Sequence, residues 1–435
     1  MRYIKLSHVK IAPLVSILMF SAVFAALVTS AAAAVQGRTI DVFKTTNGAS
    51  PNSGLILDSW GNLYGTTPGG GAYDYGVAFE LSPTSAGWVE TVLYNFCEDT
   101  CPQGSSPQSA LILDSDGNLY GTTAGGGTYG SGTVFELSPA PGGGWIESVL
   151  YSFCAITNCA DGKGPTASVI FGEGGRLYGT TLAGGQNQCN GSGCGVVFEL
   201  ERSSNNNGPW SETVLYAFTG GNDGGSPIAG LVSDSFGRLY GTTWLGGAQS
   251  VGVVFELTPV SGAWNESVLH TFCSAASCSD GSNPWASLIL GTDGSLYGTT
   301  IAGGKTSLAA ASGYGVVFRL TPTAGAWSES VLHAFDGTDG RAPYAGVILD
   351  SLGNLYGTTA LGGDYSCNSV YGCGLVFALR PSSSGNWNEA ALVVFSGGNE
   401  GLGPYANLVM DPQGHLYGTT EYNGPRGLGT VFELQ

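Results

Sequence analysis

Apolar and polar residues follow one scheme along most of the chain. Between Ser109 and Phe153 it reads Ser109 to Asp114 (SALILD), a turn at Ser115-Asp116-Gly117, Asn118 to Thr123 (NLYGTT), a glycine-rich loop, Thr133 to Ser138 (TVFELS), a second turn, and Trp145 to Phe153 (WIESVLYSF). Each run is rich in β-branched and aromatic side chains and is bounded by Gly, Pro, Asp or Ser, the pattern of strands joined by hairpins. Helical periodicity is missing from the unit, so the pattern predicts four strands in one sheet.

The unit recurs. Leu-Tyr-Gly-Thr-Thr occurs seven times, with its tyrosine at Tyr64, Tyr120, Tyr178, Tyr240, Tyr297, Tyr356 and Tyr417 and successive gaps of 56, 58, 62, 57, 59 and 61 residues. Four-stranded sheets repeated radially make a β-propeller, and seven lies within the usual range of roughly four to eight blades. The last repeat stops at a third strand, Val431-Phe432-Glu433-Leu434-Gln435, whereas Thr39-Ile40-Asp41-Val42-Phe43 aligns with the fourth-strand pattern Val214-Leu215-Tyr216-Ala217-Phe218. Pairing of the N-terminal strand into the last blade would close the ring and leave no open sheet edge. The expected fold is all-β: one seven-bladed β-propeller domain of four-stranded blades over residues 35–435.

Several repeated residues have structural reasons. Asp58, Asp114, Asp234, Asp350 and Asp411 each stand three residues before a glycine (Gly61, Gly117, Gly237, Gly353 and Gly414), the spacing of an Asx-type turn with glycine at positive φ. Trp88, Trp145, Trp210, Trp264, Trp327 and Trp387 recur two residues before Glu90, Glu147, Glu212, Glu266, Glu329 and Glu389 on the outer strand. They are read as blade-to-blade packing beside a rim carboxylate, with sugar platforms as the alternative.

The repeated LYGTT, the turn before it, the VFEL strand and the W-x-E-x-V-L strand resemble the GloVer-type tandem repeat of bacterial secreted proteins, the "choice-of-anchor" group. The resemblance covers nearly all of residues 38 to 435 and implies a secreted repeat protein. The family brings no assigned activity, so it implies no functional residues.

Composition narrows the function. Glycine supplies 72 of 435 residues, more than twice average usage, yet it has no every-third-residue period, and 43% of residues are apolar. Collagen and disorder are thereby excluded. Formal charge is −18, becoming −21 once Arg2, Lys5 and Lys10 are removed with the segment described next. Such a surface repels nucleic acid and anionic lipid, because affinity for a phosphate backbone rests on Lys and Arg. Residues 1–34 have a positive start, an uncharged apolar run and four alanines, Ala31 to Ala34, the pattern of a cleaved secretory signal. An uncleaved anchor is the alternative, since the run is long enough to span a bilayer. A secreted, extracellular or periplasmic monomer with no membrane contact after cleavage is expected.

Ten cysteines fall into five close pairs: Cys97 with Cys101, Cys154 with Cys159, Cys189 with Cys194, Cys273 with Cys278, and Cys367 with Cys373. An even count with a secretory signal and local pairing argues for disulfides, with zinc as the competing reading. With strands lettered a to d, two pairs fall in b-to-c loops and three in d-to-a loops, so all five decorate one face. Loops there are long and varied, and a binding surface is expected there.

Gly-x-x-Pro recurs on that face, preceded by an acid at Asp161, Asp223, Asp280, Asp339 and Glu400. A ring of carboxylates near the channel mouth offers a site for Ca²⁺ or a polyhydroxyl ligand; a capping residue repeated with its turn is the alternative. No D-x-D-x-D-G calcium loop occurs, and no other cofactor or metal is expected. Trp244, Trp285, Tyr344 and Tyr405 break the repeat on the same face, where other blades carry Pro68, Ala124, Gln108 or Thr166. Exposed aromatics among carboxylates suit sugar rings, whereas partial burial between loops is the structural alternative. His270 and His333 replace a tyrosine of the outer strand, and no histidine is spaced with an acid and a nucleophile. The expected function is non-catalytic binding of an extracellular glycan or protein; a hydrolase using two acids of the same face is the alternative.

Overall fold

The computed structural model describes residues 37–186, 189–203, 208–306 and 312–435. The segment read as a secretory signal, residues 1–34, lies outside them. Seven four-stranded antiparallel sheets, or blades, are arranged in a ring. Six are built from consecutive strands, while blade 7 consists of Val409–Met410, Leu416–Thr420, Thr430–Leu434 and the N-terminal strand Gly37–Val42. Gly37 pairs with Leu434 and Val42 with Thr430, so the expected ring closure is present.

The repeated pentapeptide forms strand b, the buried centre of each blade. In the five blades that carry the turn aspartate, the tyrosine donates to it, as Tyr64 does to Asp58 Oδ2 at 3.1 Å and Tyr120 to Asp114 Oδ2 at 3.0 Å. The other oxygen of Asp58 accepts the N–H groups of Trp60 and Asn62, each at 2.8 Å, and Gly61 follows at φ +89°, the Asx turn expected from the spacing. A methyl on the central glycine, Gly121, would lie 2.6 Å from Cζ of Phe135, which fills that space from strand c. The first threonine reaches out of its own blade. Thr66 Oγ1 donates to Ser109 O of blade 2 at 2.9 Å, Thr180 to Ala229 O at 2.9 Å and Thr299 to Ala345 O at 2.8 Å.

Two features differ from the sequence expectation. The run Ser109 to Asp114 forms a ladder only at Ile112–Leu113, because its first half is engaged by the neighbouring blade's threonine and faces the channel. Strand d carries a register shift opposite strand c, as between Ala78 and Phe79 of blade 1, which inserts Leu93 as an extra residue. Such a bulge bends the strand and increases its twist. The tryptophans pack between blades as expected: Trp88 meets Tyr417 at 5.8 Å and Trp264 meets Tyr178 at 6.0 Å between ring centroids.

Gly121→Ala is expected to destabilise the fold by about 1–3 kcal/mol through overpacking against Phe135. Thr122→Val, which keeps the shape but removes the bond to Ala167 O (3.0 Å), should cost about 1 kcal/mol. Urea denaturation of both variants measures these differences.

Candidate functional site

Each blade enters its inner strand through Gly-x-x-Pro. The residue before the proline is left-handed in every blade, with φ from 51° at Ala342 to 68° at Gly403. Its N–H donates to the preceding blade: Ser226 to Cys194 O at 2.7 Å, Asn283 to Val251 O at 2.7 Å and Ala342 to Tyr314 O at 2.8 Å. The proline ring then seats on a glycine opening that blade's strand c. A methyl on Gly252 would stand 2.7 Å from Cδ of Pro284, and one on Gly374 2.7 Å from Cδ of Pro404. Hydrogen bond and ring contact together hold the residue after the proline at the channel mouth.

These positions are Asn52, Gln108, Thr166, Ile228, Trp285, Tyr344 and Tyr405, polar in blades 1 to 3 and apolar or aromatic in blades 4 to 7. With Leu182, Trp244, Glu421 and Tyr422 from b-to-c loops they line a cavity of about 440 Å³. All four aromatics singled out from the sequence come together here, and Tyr422 joins them. Ring centroids are 5.5 Å apart from Trp244 to Trp285, 5.4 Å from Trp285 to Tyr344, 5.0 Å from Tyr344 to Tyr405 and 6.1 Å from Tyr405 to Tyr422. This arc of rings occupies one side of the mouth, opposite Asn52, Gln108 and Thr166. Trp285 and Tyr422 are 36% and 43% exposed. Beneath, the channel narrows to a space of about 120 Å³ lined by small residues such as Ser53, Gly54, Ala110, Ala229 and Ser287.

Polar groups of the mouth are incompletely satisfied. Among the described residues, Nε1 of Trp244 and Oδ1 of Asn52 have no hydrogen-bond partner. Burial pushes the Glu421 carboxyl above its ordinary range, against a lowering hydrogen bond from Tyr422. Tyr405 is raised by burial and then by the neighbouring Tyr422, Glu421 and Tyr344.

The acids preceding Gly-x-x-Pro do not line this cavity. Asp161 accepts from Tyr151 Oη at 2.9 Å and from the N–H of Ala155 at 2.8 Å; Asp223 accepts from Tyr216 Oη at 3.1 Å and Thr219 N–H at 2.8 Å. Asp280 accepts from Ser274 N–H at 2.9 Å, and Asp339 accepts from Asp336 N–H at 2.7 Å and lies 3.0 Å from His333 Nε2. Each aspartate thus caps its own d-to-a loop, and His333 stands where Tyr151 and Tyr216 stand in other blades. Glu400 contributes its backbone carbonyl, which accepts from Thr430 Oγ1 at 3.0 Å. No group of three or more His, Cys, Asp or Glu is placed to hold a metal ion among the described residues.

Outside the mouth, the strand-d glutamates form a second acidic set. Oε1 of Glu90, Glu147, Glu212, Glu266, Glu329 and Glu389 has no partner among the described residues. Burial pushes Glu90, Glu147, Glu266 and Glu329 up to about 7 and Glu212 up to about 8, with Asp161 adding to the effect at Glu212 and Asp280 at Glu329.

The cysteines are joined pair by pair as the spacing suggested. Cys97 is bonded to Cys101, Cys154 to Cys159, Cys189 to Cys194, Cys273 to Cys278 and Cys367 to Cys373. With both sulfurs of every pair spent in a disulfide, the zinc alternative loses its thiolate ligands. Bridges such as Gly225 to Leu245 and Ser282 to Ala302 join d-to-a loops to b-to-c loops, so both kinds share one face with the aromatic arc. The opposite face holds a wider hollow of about 1190 Å³, rimmed by the exposed tips Trp60 and Leu352. The turn carboxylates that line it, such as Asp58 and Asp350, are satisfied within their own Asx turns. The disulfide face, with unspent polar atoms and an asymmetric set of rings, is the stronger candidate.

The model of the Gloeobacter/Verrucomicrobia repeat matches residues 26–189, 103–309 and 267–435, which together span the blades. The chain belongs to this repeat family. Among solved structures, this Gloeobacter/Verrucomicrobia repeat protein is similar to a fungal alcohol oxidase of the AA5 family in complex with copper, at 13% identity and a TM-score of 0.54 over 92% of this chain and 75% of that one. An ancestral GH74 enzyme is similar at 12% identity and a TM-score of 0.52, over 89% of this chain and 51% of that one. A protein of unknown function from Dyadobacter fermentans has 12% identity and a TM-score of 0.43, over 92% and 98% of the two chains. For the oxidase and the GH74 enzyme, at such identities, the likeness is one of fold. A comparison with curated proteins gives no match.

The glutamate set gives the repeat protein a definite pH response. A carboxyl whose folded pKa lies above its unfolded value contributes stability that is complete below the unfolded value and is lost as pH rises through the folded one. For Glu90, Glu147, Glu266 and Glu329 the window runs from 4.5 to about 7, and for Glu212 to about 8. His270, whose pKa burial lowers against the opposing effect of Asp280, acts in the opposite sense as a single group. The melting temperature should therefore be higher at pH 5 than at pH 8. Glu147→Gln should raise the value at pH 8 and leave that at pH 5 nearly unchanged, which differential scanning calorimetry can read.

Proposed function

We propose that this chain is a secreted, non-catalytic binding propeller that takes a glycan into the aromatic-lined mouth of its disulfide-bearing face. The observation that carries this reading is the arc from Trp244 through Trp285, Tyr344 and Tyr405 to Tyr422, set opposite Asn52, Gln108 and Thr166 around one cavity. Sugar rings combine apolar C–H faces with hydroxyls, so aromatic surface and sparse amide and hydroxyl groups match both parts. The unpartnered Trp244 Nε1 and Asn52 Oδ1 provide one donor and one acceptor. Secretion is supported by the signal-like residues 1–34 and the five disulfides.

Hydrolysis by two acids has less support. Glu421 is the one carboxylate among the described residues lining the cavity, and the throat below it is formed by small residues. A mechanism needing a pair about 5–10 Å apart lacks its second member there.

Glycan-array binding of the protein spanning residues 35–435 should identify a ligand. Trp285→Ala should weaken binding at least about tenfold, the effect of losing about 1.4 kcal/mol of ring contact. Trp60→Ala on the opposite face should leave it unchanged. Binding lost with Trp60→Ala and kept with Trp285→Ala would move the site to the other face.

A further inference from the structure

We infer that the sugar accepted by this mouth is cationic: an amino-sugar unit whose ammonium group sits against Glu421 and the tyrosine end of the arc. The inference rests on the glycan reading above and adds the charge of the ligand. Glu421 occupies the slot after the LYGTT strand that holds Pro68, Ala124, Leu182, Trp244, Ile301 and Ala360 in the other blades, so the repeat itself does not require a carboxylate there. Its N–H is fixed to Gly403 O at 3.0 Å, and the N–H of Tyr422 to Leu402 O at 3.1 Å, which holds both side chains at the lip beside Tyr405. Among the described residues, neither lysine nor arginine lines the cavity. Arg341, whose charge reaches Tyr344, is turned away over the rings of Tyr314 and Tyr371, at 5.8 and 5.9 Å from their centroids.

A carboxylate among aromatic faces, with no cation of its own, is the chemistry that recognises ammonium groups. The ring quadrupoles present negative faces to the charge, and the carboxylate supplies the full counter-charge in a site partly stripped of water. Burial already holds the Glu421 carboxyl above its usual range, so its anion is under-solvated and gains from an incoming cation. Neutral hexoses would use the tryptophan end alone. An anionic sugar would meet Glu421 and a chain of net charge −18.

Three probes on one backbone test this by isothermal titration calorimetry: an oligomer of glucosamine, its N-trimethylated form, which is charged at every pH, and its N-acetylated form, which is neutral. The charged oligomers are expected to bind about tenfold tighter than the acetylated one, with an advantage that shrinks as salt is added. Glu421→Gln should remove the advantage, bringing the charged oligomers to the affinity that the acetylated one shows for the same variant, and Trp285→Ala should weaken all three. Glu421→Ala, the residue that blade 6 carries at Ala360, serves as a second variant, with circular dichroism to confirm folding. Equal affinity of charged and neutral oligomers overturns the inference and leaves the glycan reading standing. A charge advantage that survives Glu421→Gln also overturns it, because general attraction to an acidic surface would then be the cause. Binding of none of the three, together with a blank glycan array, overturns the glycan reading itself.

Discussion

The ring depends on a hydroxyl that each blade lends to the next. Because strand a pairs with its own sheet over only two residues, much of the inner wall is held from outside, by the first threonine of the neighbouring LYGTT strand. Threonine suits the task, since its methyl fills the strand interior while its hydroxyl crosses the joint. At the joint between blades 7 and 1 the equivalent Thr419 Oγ1 has no partner among the described residues. There Ser50 N–H donates to Leu428 O at 2.9 Å, Pro51 seats on Gly429 and the ring of Phe43 packs on Phe79 of blade 1, while the N-terminal strand completes blade 7 through its ladder to Thr430–Leu434. Six joints are riveted by a threonine, and the seventh relies on main-chain and ring contacts.

The seven copies, the four strands and the N-terminal closure were all legible in the sequence, because a repeat makes each local signal count seven times. The Asx turn at Asp58 and the tyrosine bond above it could be inferred from spacing alone, and so could the short disulfides such as Cys97 to Cys101 and Cys273 to Cys278. What escaped was set by neighbours in space. The extra residue Leu93 in strand d leaves no mark in an apolar run, and the shortness of strand a reflects a bond from another blade. At the site, Trp244, Trp285, Tyr344 and Tyr405 stood out as breaks in the repeat. Glu421 breaks the same slot as Trp244 and would have been found by the same criterion; Tyr422 replaces a residue that is Gly69 or Gly125 elsewhere. The acids before Gly-x-x-Pro, being repeated, are explained by the loops they cap.

Fold and recognition are thus divided between two kinds of position. Residues that every blade shares are fixed by contacts of the frame, within a blade for the LYGTT glycine seated over phenylalanine and across a joint for the proline seated over glycine. Residues that differ between blades lie where those contacts end, at the lip of the channel. The half-buried strand-d glutamates, present in six of the seven blades, belong to the frame, and their unpaired oxygens tie the stability of the scaffold to acidity.

The left-handed residue before each proline has a consequence for design. It anchors the backbone by its own N–H, so the main chain is held in the same way whether Asn52, Thr166, Trp285 or Tyr405 stands one step beyond the proline. The mouth is in effect a seven-place combination lock whose wheels share one mounting, with the rings of Trp285, Tyr344 and Tyr405 also touching their neighbours. An engineer can turn those wheels by randomising seven codons on an unchanged main-chain frame.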